Sequence, residues 1–155
     1  MQVSAREDIQ APIDAVFDMV ADFERFERMA MRRGVEVRRT VEMPGHWVGS
    51  CWEADIMIRG KPRHVAIEVA EFDRPTAMRF RSTSKGMNGL TTIDLLSLSQ
   101  KQTRLSIEMS LAAKTLPARL LLQSLKLGKA RFRRQFQMRL SDFAREMEER
   151  YLHGA

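Results

Sequence analysis

The chain has little of what cross-links or interrupts a polypeptide. Among its 155 residues are one cysteine, five prolines and eight glycines. A lone thiol, Cys51, has no partner for an internal disulfide, which excludes a cross-linked scaffold and suits a reducing compartment. With 44% hydrophobic and 30% charged residues, the scarcity of Pro and Gly also excludes a disordered or collagen-like chain. No apolar run approaches the roughly 18 to 20 residues that a membrane-spanning helix needs. The opening stretch MQVSAREDIQ has no apolar core of the kind a secretion signal carries. The expectation is one cytoplasmic domain over residues 1–155, with peripheral contact to a membrane as an option.

Chemistry-bearing clusters are missing as well. His46, His64 and His153 are scattered, no His/Cys/Asp/Glu spacing fits a metal, and no glycine-rich phosphate loop is present. Neither metal nor cofactor is expected, and no residue qualifies as catalytic. Cys51 has no base beside it in sequence to lower its pKa, so it reads as inert.

Acid is missing from one stretch in particular. Of the 26 Lys and Arg, eight lie between Lys114 and Arg139, where there is no Asp or Glu. The formal charge of +6 therefore comes entirely from the C-terminal region. Lys126, Lys129, Arg133 and Arg134 fall mainly off the apolar stripe described below and form a candidate basic surface. An anionic membrane surface or an acidic protein is a fitting partner. Nucleic acid is disfavoured, because no recognised motif or free base-stacking aromatics accompany the charge.

What is present is periodicity. Residues 2–9 alternate as a short strand. Ile13, Val16, Phe17 and Val20 follow at helical spacing behind Pro12, and Asp22 marks a restart through Phe23, Phe26 and Met29. From Val35 the period falls to two. Successive runs centre on Val35–Val41, Val48–Ile58, Val65–Val69, Met78–Arg81, Ile93–Leu95 and Leu105–Leu111. Turns are expected at Met43-Pro44-Gly45, Gly60-Lys61-Pro62, Asp73-Arg74-Pro75, Lys85 to Gly89 and Ser99 to Gln102. Short alternating runs of this kind predict an antiparallel meander with one buried face. From Pro117 to about Tyr151 the stripe Leu121, Leu125, Gly128, Phe132, Phe136, Leu140, Phe143, Met147 advances three or four residues at a time. It predicts one long helix crossing a sheet that must curl around it.

Strand, two short helices, six strands and a long helix make an α+β helix-grip order. The segment Ala11-Pro12-Ile13-Asp14-Ala15-Val16-Phe17-Asp18-Met19-Val20-Ala21-Asp22-Phe23 resembles the opening of the SRPBCC superfamily, which includes START-like and polyketide cyclase/dehydrase-like proteins. Gly49 with Trp52, and the Asp73-Arg74-Pro75 turn, resemble the same group. The resemblance covers essentially the whole chain. It departs at the last hairpin, which turns on Gln100-Lys101-Gln102 rather than glycines, and in a longer, more basic final helix.

The resemblance implies an enclosed cavity between a curved seven-stranded sheet and the C-terminal helix, holding a lipid, a sterol-like or a polyketide-like molecule. Its expected lining is Phe17, Trp52, Ile56, Ile67, Met78, Phe80, Ser82, Leu95, Ser97, Met109, Leu121, Leu125, Gly128 and Phe132. Ser50, Ser82 and Ser97 share parity with apolar strand residues and are the polar candidates. The 11 methionines, Met57, Met78, Met87, Met109, Met138 and Met147 among them, suit an adaptable wall or ordinary core. Gly128 reads as a site of close packing, a kink, or room left for ligand. Three functions follow: binding or transfer of a small hydrophobic molecule, a cyclase/aromatase-type enzyme, or a module docking through its basic helix. A cyclase would be helped by His64 or Glu68 facing inward, yet the alternation of Val65, Ile67 and Val69 turns both outward.

Overall fold

Most breaks in periodicity become element boundaries in the computed structural model, which describes residues 1–154. The order is β1 (Gln2–Ile9), α1 (Ile13–Val20), α2 (Phe23–Arg32), β2 (Glu36–Val41), β3 (Cys51–Ile58), β4 (Lys61–Asp73), β5 (Ala77–Ser84), β6 (Met87–Ser99), β7 (Gln102–Ala113), α3 (Leu116–Leu127) and α4 (Lys129–Leu152). All neighbours in the sheet are antiparallel, in the order β1-β7-β6-β5-β4-β3-β2. Hairpins join β2 through β7 in sequence, and β1 returns to the β7 edge.

The helix starts follow from their caps. Asp22 caps α2 by accepting a hydrogen bond from the Arg25 N–H at 3.3 Å, which accounts for the restart seen in the sequence. Thr115 does the same for α3 through the Ala118 N–H, with Pro117 in the first turn where it needs no donor.

Three boundaries differ from expectation. The hairpin after β3 turns tightly at Arg59 and Gly60, both at positive φ, so Lys61 and Pro62 belong to β4. The next tight hairpin turns at Lys85-Gly86, and Met87, Asn88 and Gly89 are paired residues of β6. Residues 44–49 form turns, with Trp47 at φ 60°, and β3 starts only at Cys51.

The largest difference is at Gly128. The C-terminal segment is two helices, α3 and α4, meeting at this residue (φ −101°, ψ 16°). A Cβ placed there would find only the Leu125 carbonyl oxygen, 3.9 Å away. Nothing packs closely on Gly128, which corrects the close-packing expectation. It is the joint of a broken helix.

Helix α4 is anchored on β1. Leu140, Ala144 and Met147 are buried beneath it. Gln137 Nε2 donates to the Arg6 carbonyl at 3.0 Å, and Ser141 hydrogen-bonds Glu7. The core gathers where α1, α2 and α4 meet the sheet, around Phe17, Phe23, Trp52, Val69, Met78, Leu95 and Leu105. Burying one such side chain contributes about 1.5–3 kcal/mol.

Candidate functional site

Pairing register sorts the strand residues by face, because residues directly opposite one another share a side. The concave face carries Trp52, Ala54, Ile56 and Ile58 from β3, with Ile67, Val65 and Arg63 opposite them on β4. It continues through Phe80 and Ser82, across to Gly89 and Thr91, and on to Met109 and Leu111.

One end of this face is packed solid. Phe23 reaches in from α2 and meets Trp47, Trp52 and Phe80 edge-on, with centroids at 4.8, 5.3 and 5.9 Å. Phe17 sits edge-on to Phe72 at 5.1 Å. The inward-facing Arg39 of β2 lies over the Trp47 and Trp52 rings at 5.1 and 5.9 Å and is ion-paired to Glu27 of α2. Edge-to-face and cation–π contacts of this type each add roughly 0.5–1.5 kcal/mol to area burial.

The other end is not packed. Ile56, Ile58, Val65, Met87, Met109 and Leu111 point inward and are only half-buried. None belongs to the packed cluster around Phe17, Phe23 and Trp52. Helix α3 lies over this end, presenting the half-buried Leu121 and Leu125 on the same side as its buried Ala118 and Leu122. It is fastened at both edges. The Lys114 N–H donates to the Gly86 carbonyl at 2.7 Å, and Arg59 Nη2 at the β3–β4 turn donates to the Ser124 carbonyl at 2.8 Å.

The candidate site is therefore this half-covered apolar face under α3, called the trough below, rather than the closed cavity expected. Two other concavities lie outside it. One, of about 520 Å³, is on the convex face between Ser4, Arg6, Asp94, Ser106 and Glu108. The other, of about 380 Å³, lies between α2 and β2 at Glu24, Glu27 and Arg39.

The expected lining residues divide accordingly. Ile56, Ser82, Met109, Leu121 and Leu125 are half-buried on the trough side, while Ile67 and Phe80 are half-buried against the packed cluster. Phe17, Trp52, Met78 and Leu95 are buried in the packed end and are core. Ser97 keeps the parity of Leu95, pairing with Thr103 as Leu95 does with Leu105, but it is exposed near the end of β6 and its hydroxyl donates to the Ser99 carbonyl at 3.0 Å, so it does not line the site. Phe132 is 41% exposed and stacks on Phe136 instead of entering the sheet, because the chain has already turned at Gly128. Ser50 is buried, its hydroxyl accepting from the Met43 N–H at 2.9 Å, so it is structural.

Arg63 escaped the sequence reading. It pairs with Ile56 and so faces the trough, where its Nε is buried without a partner among the described residues. Its parity with Val65 and Ile67 was the available signal, hidden by placing a turn at Gly60-Lys61-Pro62. Arg39 was hidden in the same way, as one charge among several alternating charges.

The convex face holds the remaining titratable groups. His64 lies between Asp55 at 3.1 Å and Glu53 at 3.2 Å, and these hydrogen bonds, Asp55's first, hold its pKa above the usual histidine value. Glu68 is on this face too, paired with Arg81. Cys51 Sγ donates to the Gly49 carbonyl at 3.3 Å, and burial, followed by the Glu68 charge, pushes the thiol pKa up. Such a thiol is a poor nucleophile. Among the described residues no group of three or more His, Cys, Asp or Glu is placed to hold a metal.

Comparison with known proteins agrees with this architecture. The family model for polyketide cyclase/dehydrase and lipid transport proteins matches residues 1–148. The chain belongs to that family. No curated protein matches its sequence. The fold of this family member is similar to that of the Zhui aromatase/cyclase from a Streptomyces species, with TM-score 0.70 and 15% identity over 97% of this chain and 95% of that one. A conserved protein from Geobacillus kaustophilus gives 0.64 and 15%, covering 97% of both chains. A START superfamily protein from Mycobacterium smegmatis gives 0.58 and 12%, over 92% of this chain and 98% of that one. At these identities the likeness establishes the helix-grip fold alone, while the chemistry must come from the site.

Proposed function

We propose that this family member binds and carries a small hydrophobic molecule in the trough beneath α3. The carrying observation is the unequal packing of the concave face. Phe23 and its neighbours fill one end, while Ile56, Val65, Met109 and Leu111 are left half-covered at the other. Inward apolar surface without a protein partner gains about 25 cal/mol for each Å² that a ligand covers. The inward-facing methionines Met87 of β6 and Met109 of β7 let the wall adapt to an irregular guest.

The test is uptake of anilinonaphthalene sulfonate, read by fluorescence, together with native mass spectrometry of protein purified from its own host. Enhanced emission that a Val65→Trp variant abolishes without losing its fold supports the proposal. Unchanged emission in wild-type protein, with no copurified mass, removes it.

A second reading, ring-closing chemistry of the aromatase/cyclase kind, draws on Arg63, Ser82 and Thr91, which bring a cation and two hydroxyls to the same face. Turnover of a poly-β-keto thioester separates it from carriage alone.

A further inference from the structure

Helix α3 is apolar on two opposite sides. Ala118, Leu121, Leu122 and Leu125 face the sheet. Half a turn away, Leu116, Leu120 and Leu127 form a second stripe, at 68, 59 and 92% exposure. A helix with apolar residues on both sides is normally covered on both. Among the described residues nothing covers the outer stripe.

The charge around the stripe selects what could cover it. Lys114, Arg119, Lys126, Lys129, Arg131, Arg133, Arg134 and Arg139 form no ion pair among the described residues, whereas nine arginines elsewhere are paired. Arg119 and Lys126 flank the leucines on one side of α3. The first two turns of α4 contain no buried residue: Arg133 stays exposed although it is two turns from, and on the same face as, the buried Leu140.

We infer that α3 and the start of α4 dock on an anionic phospholipid bilayer, with Leu116, Leu120 and Leu127 entering the interface and the cations meeting the headgroups. Leucines enter the acyl boundary while Lys and Arg stay at headgroup level, which is the arrangement an interfacial helix uses. A second copy of the chain is a poor fit, since two clusters of unpaired cations would be brought together. Nucleic acid would satisfy the cations and leave the leucines against phosphate. Docking in this way would place the helix that covers the trough at the lipid surface. The docking inference does not depend on what the trough holds.

The experiment is co-sedimentation of the full chain with phosphatidylcholine vesicles and with phosphatidylcholine–phosphatidylglycerol vesicles. Wild-type protein should bind only the anionic vesicles, with an affinity that falls with salt. The variant Leu116→Gln/Leu120→Gln/Leu127→Gln should lose about 100-fold in affinity. The variant Lys126→Glu/Arg131→Glu/Arg134→Glu should lose about tenfold or more. All six positions except Lys126 and the leucines lie on α4, and all are solvent-facing, so circular dichroism melting should match wild type.

Binding by the leucine variant equal to that of wild type overturns the inference, as does wild-type binding of neutral vesicles alone. Failure of wild-type protein to bind vesicles while it forms dimers that the leucine variant dissolves also overturns it and assigns the stripe to self-association. Probe uptake by the trough, measured on the same proteins, is a separate readout. Its failure would remove the carrier proposal and leave docking untouched.

Discussion

Arg59 and Ser124 are 65 residues apart, and the Arg59 guanidinium donates to the Ser124 carbonyl at 2.8 Å. The bond joins the tip of the β3–β4 hairpin to the last turn of α3, closing the trough at the edge away from β7. Because it is solvent-exposed, its net contribution is about 1 kcal/mol or less. Arg59→Ala should leave the melting temperature nearly unchanged and raise hydrogen exchange in α3 above that in α4. Equal exchange in wild type and variant would show that α3 is held by its apolar face alone.

Gly89 and Ser82 are opposite one another on the trough floor. A Cβ on Gly89 would overlap the Ser82 hydroxyl and come within 3.2 Å of Leu111 Cδ2. Gly89→Ala should therefore destabilise by about 1–3 kcal/mol, as overpacking does. Adding Ser82→Ala should recover part of the loss in a double-mutant cycle followed by urea denaturation. Additive losses would mean that the hydroxyl is not the obstacle.

If the trough carries a ligand as proposed, Arg63 would set a preference among guests. A buried guanidinium nitrogen without a partner favours a guest with an anionic or carbonyl oxygen near the β3–β4 end. A fatty acid should outcompete the matching alcohol for the trough, and Arg63→Met should reduce acid affinity by about tenfold while sparing the alcohol. Displacement of the fluorescent probe measures both. Equal loss for the two ligands would assign Arg63 to structure.

Two convex-face groups make stability depend on pH in opposite directions. Hydrogen bonds to Asp55 and Glu53 raise the pKa of His64 above its unfolded value. Its stabilising contribution is complete below the unfolded value and is lost as pH rises through the raised folded value. The hydrogen bond from Arg104 lowers the pKa of Asp8, so that contribution is present above the unfolded value and is lost as pH falls through the lowered one. Urea midpoints should therefore decline above the usual histidine range in wild type and stay flatter in His64→Gln. Asp8→Asn should flatten the acid limb. Identical profiles for wild type and His64→Gln would show that His64 is not linked to folding.

The fold was legible because its signals are local. Pro12 and Asp22 begin the two short helices, and the alternation of strand residues such as Trp52, Ala54 and Ile56 marks their faces. The convex placement of His64 and Glu68 also followed from parity. The break at Gly128 was not legible, since the apolar spacing runs straight through it. Only the backbone of Gly128, where α3 ends and α4 starts at φ −101° and ψ 16°, shows that the glycine is a joint. The trough was legible in part. Parity identified Ile56, Ile67, Phe80, Ser82 and Met109 as inward-facing, but could not tell them from Phe17, Met78 and Leu95. That distinction depends on how far α2 reaches across the sheet, which is a tertiary property. The second leucine stripe of α3 went unseen because one long helix was assumed to keep a single apolar side.

Phe23 deserves its place among four rings for a reason beyond packing. With Trp47, Trp52, Phe72 and Phe80 around it, it stops the trough at the α2 end. If the trough carries a ligand as proposed, the length of that ligand is capped by where the phenyl ring stands, and trimming Phe23 would lengthen the trough at its α2 end.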